Sequence, residues 1–298
     1  MSAATSPSTG RAYGVDRVCR VWELPRSSYY SQRSEAPSCE AGVWGRRGPK
    51  PELSDEGLLQ LIREDLAASP FLGEGHRKVW ARLKVLRRVR VSRKRVLRIM
   101  REHHLLSPHR ARRGEGLLHE GTITTEAPNL MWGTDGARVL TAEEGWGWIF
   151  VGVEHFNAEC VGYHVCKEGT RYEALQPIAM GLTENYGSVG ADVARGLSVR
   201  MDHGTQYLSD HFLNQLRFWG ITPSFAFVEQ PQTNGVAERF IRTLKEQVIH
   251  GRVYRTLEEV RQAVAAFVKR YNEEWRVEKL GFLTPREARE AWGGKAAA

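Results

Sequence analysis

NLMWGTDGARVLTAEEGWGWIFVGVEHFNAECVGYHVCKEG, residues 129–169, is the stretch whose reading decides the fold. It divides into three apolar or alternating segments, NLMWGTDGARVL, GWGWIFVGVEH and ECVGYHVCKEG, with short turns at Gly145 and Asn157. Each is of strand length, rich in Val, Trp and Tyr, and has little of the three-to-four residue spacing that a helix needs. The stretch predicts a meander of three strands.

Outward from it the pattern alternates. A helix is predicted over 171–185, a strand at LSVRMD, a helix over 209–218, a strand at ITPSFAF and an amphipathic helix through VAERFIRTLKEQ. Three consecutive strands feeding alternating helices and strands imply an α/β domain, a mixed five-stranded sheet with helices on both faces. This is the ribonuclease H-like order. Two more helices, over 257–271 and 285–292, close the chain.

Three acids fall at the ends of these core elements: Asp135 in the first strand, Asp202 at the end of LSVRMD, and Glu238 one turn inside the amphipathic helix. Residues 203–237, thirty-five positions, separate the last two. Cations of the magnesium class need hard oxygen ligands, and a two-ion site needs carboxylates from separate elements converging on one spot. Taken singly each acid has a plainer reading. Asp135 could cap a turn, Asp202 could form an Asx turn in DHGT, and Glu238 with Arg242 could be a surface ion pair. Converging carboxylates also repel, so without metal at least one should hold a proton more readily, or the loop 226–236 should be mobile.

On the same helix Val236, Ala237, Phe240, Ile241, Leu244 and Val248 mark the buried side, while Glu238, Arg242 and Lys245 share another face. In the preceding PQTNG, Asn234 is expected to cap the helix and Gly235 to let a bound backbone come close.

The formal charge is +8, and its distribution says more than its total. Between His76 and Arg113 stand fifteen Lys and Arg against one acid, Glu102, a block of +14 that leaves −6 for the remainder. Ser54 and Ser92 are predicted helix caps, and three short helices are expected, at LLQLIREDL, GHRKVWARLK and SRKRVLRIMREHHL. They fit a helix-turn-helix whose basic last helix enters a DNA groove; a three-helix bundle with a solvated basic surface fits the same pattern. Arg77, Lys78, Arg93, Lys94, Arg98 and Arg101 are the candidate DNA contacts of this module, with Asn234, Gly235, Arg242 and Lys245 in the core.

The resulting domain reading is a short helical segment at 1–33, a linker at 34–52, a helix-turn-helix module at 53–113, a catalytic core at 122–250 and a helical tail at 251–298. With no apolar run of about 18 residues and no signal-peptide pattern, the expected location is cytoplasmic. Cys19, Cys39, Cys160 and Cys166 show no CxxC spacing and no pairing with the ten histidines, so they are read as reduced thiols without structural zinc.

The blocks GEGHRKVWARLK, VSRKRVLRIMREHHLLSP, NLMWGTDGARV, DHGTQYLSDHF, PQTNGVAERFIRTLK and YNEEWRVEKLGFLTPREA together resemble the OrfB-type transposases of bacterial insertion sequences, which share their core with retroviral integrases. The resemblance runs over nearly the whole chain and is most specific around Glu238. It implies that Asp135, Asp202 and Glu238 are catalytic, metal-binding acids for two Mg2+ or Mn2+ ions, and that Arg242 and Lys245 hold the transposon end. It also implies double-stranded DNA partners (terminal inverted repeats and target), a homo-oligomer on paired ends, and in several relatives an upstream-frame, OrfA-type partner. The chain departs from the family pattern at Gly136-Ala137-Arg138, at Glu154, at Asn157-Ala158 and at Trp275-Arg276-Val277, and at none of the implied ligands. Two other functions stay open on sequence: a catalytically inactive DNA-binding regulator, and a ribonuclease H-like nuclease that cuts without joining.

Overall fold

A computed structural model describes residues 3–33, 52–107, 125–226 and 234–296, and the chain divides into two compact units, Met1–Glu52 and Leu53–Ala298. In the first, α1 (Gly14–Val21) and α2 (Arg26–Arg33) are broken apart by Glu23 in the left-handed region, φ 51°, ahead of Pro25. Asp16 bonds Arg20 one turn on at 2.9 Å. The linker read over 34–52 lies, except for residue 52, outside the described residues, as do Arg110, Arg112, Arg113 and the start of the core at 122–124.

The second unit opens with α3 (Asp55–Ala68), α4 (His76–Val85) and α5 (Arg93–Glu102). Both predicted caps form: the Ser54 hydroxyl accepts from the Gly57 amide at 3.0 Å, and Ser92 from the Arg95 amide at 3.2 Å. Leu58, Ile62, Val79, Leu83, Val96, Ile99 and Met100 interlock as the core of this three-helix module. Beneath it Arg82 is buried between Asp65, at 2.7 Å, and Glu74. One cation of the basic block is therefore an internal strut.

The sheet follows: β1 (Met131–Thr141), β2 (Gly145–Glu154), β3 (Cys160–Cys166), β4 (Ser198–Met201) and β5 (Thr222–Phe225), in the order β3-β2-β1-β4-β5. The first three pair antiparallel, whereas β4 joins β1 and β5 joins β4 in parallel. This is the mixed five-stranded sheet the pattern predicts. Helices α6 (Gln176–Tyr186) and α7 (Asp210–Phe218) cover one face around Trp132, Phe150, Ile178, Val199 and Phe212. On the other, α8 (Gly235–Leu244) and α9 (Leu257–Glu274) pack Phe240, Leu244, Val260 and Phe267 onto Val139, Ile149 and Val151. Helix α10 (Pro285–Ala296) then returns to the β2–β3 turn, where the Asn157 amide donates to the Pro285 carbonyl at 2.8 Å.

Two predicted helices differ in form. The one expected over 171–185 begins as a 3-10 turn, Glu173–Leu175, because Pro177 takes the second position of α6 and cannot donate a backbone bond. The amphipathic helix ends as α8 at Leu244 and continues as a π-helical turn, Lys245–Ile249, so its last face rotates relative to the first.

The three-helix module packs directly on the core and tail. The Gln247 side chain bonds both the amide and the carbonyl of Leu72 at 2.8 Å, Phe71 meets Trp275 edge-on at 4.9 Å, and Trp80 meets Phe282 at 5.4 Å. Burial of charge makes Arg82 the module's most sensitive point, because removing it leaves Asp65 without its hydrogen-bonded cation and Glu74 with only the more distant Lys78 at 3.9 Å. Arg82→Ala is expected to cost about 3–5 kcal/mol, read as a lower urea midpoint, whereas a cost below about 1 kcal/mol would mean that water replaces the guanidinium.

Candidate active site

Strand periodicity places the two aspartates. Along β1, Trp132 points to the α6–α7 face and Ala137 and Val139 to the α8–α9 face, so Asp135 shares the latter. Along β4, Val199 and Met201 point to the α6–α7 face, which turns Arg200 and Asp202 the other way. Met131, Trp132 and Gly133 pair in parallel with Ser198, Val199 and Arg200. Carried two positions on, that register sets Asp202 beside Asp135, at the roughly 4.8 Å spacing of neighbouring strands.

Helix α8 brings the third acid. Its start is fastened to β1 by Asn234, whose Nδ2 donates to the Thr134 carbonyl at 3.0 Å, one residue before Asp135. The approach depends on Gly133: a Cβ there would stand 2.9 Å from Asn234 Oδ1 and 3.3 Å from the Ala237 Cβ. Glu238, in the first turn of α8, is exposed and faces the aspartates.

Asn234 calls for a correction. Its side chain makes no cap bond, and at 2% exposure it is a buried tie between helix and strand, not a surface that DNA can touch. Its Nδ2 is committed to the strand backbone and the whole side chain is enclosed. A Cβ built at Gly235 would meet no atom within 4 Å, while Pro231, Gln232 and Thr233 lie outside the described residues, as does most of the loop 226–236.

The charges respond to one another. Burial, with the Asp202 and Glu238 carboxylates adding to it, raises the Asp135 carboxyl to about 6, against the pull of the Gly136 amide at 2.7 Å and of Lys245. Glu238 is also raised, by burial and by Asp202, with Arg242 opposing. Asp135 and Glu238 thus both hold a proton more readily, chiefly through burial, with the neighbouring carboxylates adding to it. Asp202 additionally accepts from the Gly204 amide at 2.9 Å, so the Asx turn and the shared face coexist. Among the described residues the three acids do not close to the mutual 4.8 Å spacing that another cluster, His164, Cys166 and Glu173, attains. Their site is open.

Tyr207 was not singled out by its sequence. It is fully buried under the strand ends, and burial together with Asp135 and Asp202 pushes its phenol well above the usual range. The available signal was its place in DHGTQY, where a turn brings an apolar residue back beneath Asp202. Glu154, one of the departures from the family pattern, is wholly buried: it accepts from the Asn129 amide at 2.6 Å and from Trp132 Nε1 at 3.1 Å, and so ties the start of β1 to the end of β2.

The basic candidates separate into distinct environments. Arg242, Lys94 and Arg101 are exposed, and Lys245 is half-buried beside Asp135. Arg77 and Arg93 are exposed but converge on Glu278 of the tail at 2.6 and 3.1 Å. Arg98 bonds Asp55 at 2.6 Å and Glu102 at 2.9 Å, and with Arg95 it draws the Asp55 carboxyl down to about 2. Lys78 contradicts its assignment as a DNA contact: its ammonium lies over the Trp275 ring and near Glu74, turned into the joint between module and tail.

Comparison with known proteins finds two domain matches. Residues 52–113 match the HTH-like domain, and residues 219–285, which include Glu238, match the integrase core domain. Over 283 residues the chain is 26% identical to "Transposase InsD for insertion element IS2A/D/F/H/I/K" of Escherichia coli, covering 93% of this chain and 91% of that one. It is 25% identical to "Insertion element IS2A uncharacterized 48.2 kDa protein", also of Escherichia coli, of which it spans 66%. Among solved structures, the catalytic core domain of BIV integrase aligns at 20% identity and a TM-score of 0.41, over 57% of this chain and 99% of that one. A chain of the simian T-cell lymphotropic virus intasome with a PP2A regulatory subunit aligns at 15% identity and a TM-score of 0.47, over 70% and 73%. With a match to an HTH-like domain ahead of a match to an integrase core domain, and insertion-element transposases aligned along nearly all of it, the chain is similar to the insertion-sequence transposases that carry an integrase catalytic core.

Proposed function

We propose that Asp135, Asp202 and Glu238 are the catalytic, metal-holding acids of this transposase, and that it cuts insertion-sequence ends and joins them to target DNA. The observation that carries this reading is the convergence of the three carboxylates from β1, the end of β4 and α8 on one open face, with Asp135 raised by burial and further by the other two. The integrase core implies dependence on a divalent cation, and the residues present fit one: three sets of hard oxygen donors with a surplus of negative charge. Two ions, Mg2+ or Mn2+, would supply Lewis-acid activation of the attacking hydroxyl and neutralise the leaving 3′-oxygen.

The chain's own residues do the rest. The Asn234 tie and the Gly133 gap hold the Glu238 turn against the strand ends, so positioning rests on a buried side-chain-to-backbone hydrogen bond and a close approach to the strand. Lys245 and Arg242 place positive charge beside the acids, where a scissile phosphate needs it. In the first step the attacking hydroxyl is water, and one P–O bond is replaced by another to release a 3′-hydroxyl. That hydroxyl attacks a target phosphodiester in the second, so no covalent intermediate on the enzyme is needed. The three-helix module reads terminal repeats, with at least two subunits on paired ends and an upstream-frame protein as a further partner.

Labelled DNA carrying the element's ends, incubated with Mg2+, Mn2+ or EDTA, tests this. Asp135→Ala, Asp202→Ala and Glu238→Gln should each abolish cleavage and joining while end binding stays nearly unchanged. A variant keeping a tenth of wild-type cleavage leaves the ligand set, and end binding without any metal-dependent cut in the wild type would favour a regulator.

A pH dependence follows from Asp135. Its folded-state value lies above the unfolded one, so the folded chain binds the extra proton between about 4 and 6 and loses stability as pH rises through that window. In EDTA, Asp135→Asn should therefore raise Tm at pH 7.5, by on the order of 1–3 kcal/mol in stability, and make little difference at pH 4. Equal Tm values of variant and wild type at pH 7.5 would mean that the Asp135 carboxyl is not raised in the folded chain.

For the module, converting Lys94 and Arg101 to Glu should lower the salt slope of DNA binding by about 2, one per lost phosphate contact, whereas Lys78→Gln should leave the slope alone and lower stability. An unchanged slope in the double variant would make this helix face a solvated surface.

A further inference from the structure

The tightest ligand cluster among the described residues lies away from the three acids. His164 and Cys166 alternate on β3 and so share a face, and Phe150, the pairing partner of His164, shows it to be the α6–α7 face, opposite Asp135. Glu173 opens the 3-10 turn that leads into α6 and bonds His164 Nε2. The imidazole nitrogen, the Cys166 sulfur and the Glu173 carboxylate all lie within 4.8 Å of one another. The sulfur is the buried member, with its hydrogen directed to the Glu168 carbonyl at 3.3 Å, while the His164 and Glu173 side chains are 30% and 36% exposed. One side of the cluster is thus open for a solvent ligand.

We propose that His164, Cys166 and Glu173 form a binding site for a single zinc-class cation, with water as the fourth ligand. Thiolate with imidazole selects a borderline-soft ion over Mg2+, and one carboxylate beside them fits the nitrogen, sulfur and oxygen ligands that zinc accepts. The ligand atoms of a tetrahedral zinc stand about 3.3–3.8 Å apart, given bonds of about 2.0–2.3 Å, so small side-chain rotations close the cluster. Binding displaces one proton, from the thiol, which burial and Glu173 hold and Arg261 helps to release. The consequence is structural: β3 is an edge of the sheet, and the ion ties the loop 167–172 and the start of α6 to it, covering part of an edge that would otherwise remain a template for mispairing. The sequence pattern was His-x-Cys on a strand with Glu seven residues on, which a search for helical or CxxC spacing passes over.

The full chain, stripped with EDTA and dialysed, is titrated with ZnCl2 by calorimetry and with Co2+ by absorbance. One equivalent of zinc should bind, and cobalt should give a thiolate charge-transfer band. Cys166→Ser and His164→Ala should weaken zinc by more than the ~100-fold seen when only a residue behind a metal ligand is lost. An Asp135→Asn, Glu238→Gln double variant should keep the full equivalent and the cobalt band, which separates this site from the three acids. Far-UV circular dichroism of the metal-free proteins checks folding, and if Cys166→Ser is unfolded, His164→Ala and the wild-type cobalt spectrum decide. No thiolate band, zinc retained equally without His164, or zinc lost only with the acids would each overturn the proposal.

Discussion

Parallel pairing of β1 with β4 is the constraint on which the rest depends. It joins the antiparallel meander to the alternating half of the sheet, and its register brings two aspartates 67 positions apart in sequence into neighbouring places. A slip of one residue would turn one of them to the opposite face, because side chains alternate along a strand. Burial prevents the slip: Trp132, Val199 and Met201 are fully enclosed on the α6–α7 side, and a shifted register would push them onto the side of the carboxylates.

The third acid arrives by a different kind of control. A helix end placed only by apolar packing would leave Glu238 loosely positioned, since Ala237, Phe240 and Ile241 fix rotation better than they fix height. The Asn234 amide on the Thr134 carbonyl sets the height, and Gly133 provides the room. Tyr207 closes the opposite side beneath the strand ends. Together these bury Asp135 and hold the other two carboxylates near it, and both effects raise its carboxyl, burial first.

Much of this was legible in sequence. The order of strands and helices, both serine caps and the faces of α8 follow from local periodicity and local hydrogen bonding, which short segments encode completely. What was misread shares one cause. Asn234 looked like a cap and Lys78 like a DNA contact because each was judged against its own helix, whereas their partners, Thr134 and Trp275, are distant in sequence. Likewise Arg82 counted towards the basic block although it neutralises two buried acids, and Glu278 in the tail proved to face Arg77 and Arg93. Charge totals do not say which charges are already satisfied.

By itself, then, the sequence determined the class of the fold, the places of three acids at the ends of core elements and the existence of a basic helical module, because strand period, cap chemistry and charge are properties of neighbouring residues. Only the tertiary structure decided that Asp135 and Asp202 share a face, that Asn234 is a tie, which cations remain outward, and that His164, Cys166 and Glu173 meet. Those outcomes depend on register and on packing across the sheet, where partners are brought together by burial of apolar surface that no single segment contains.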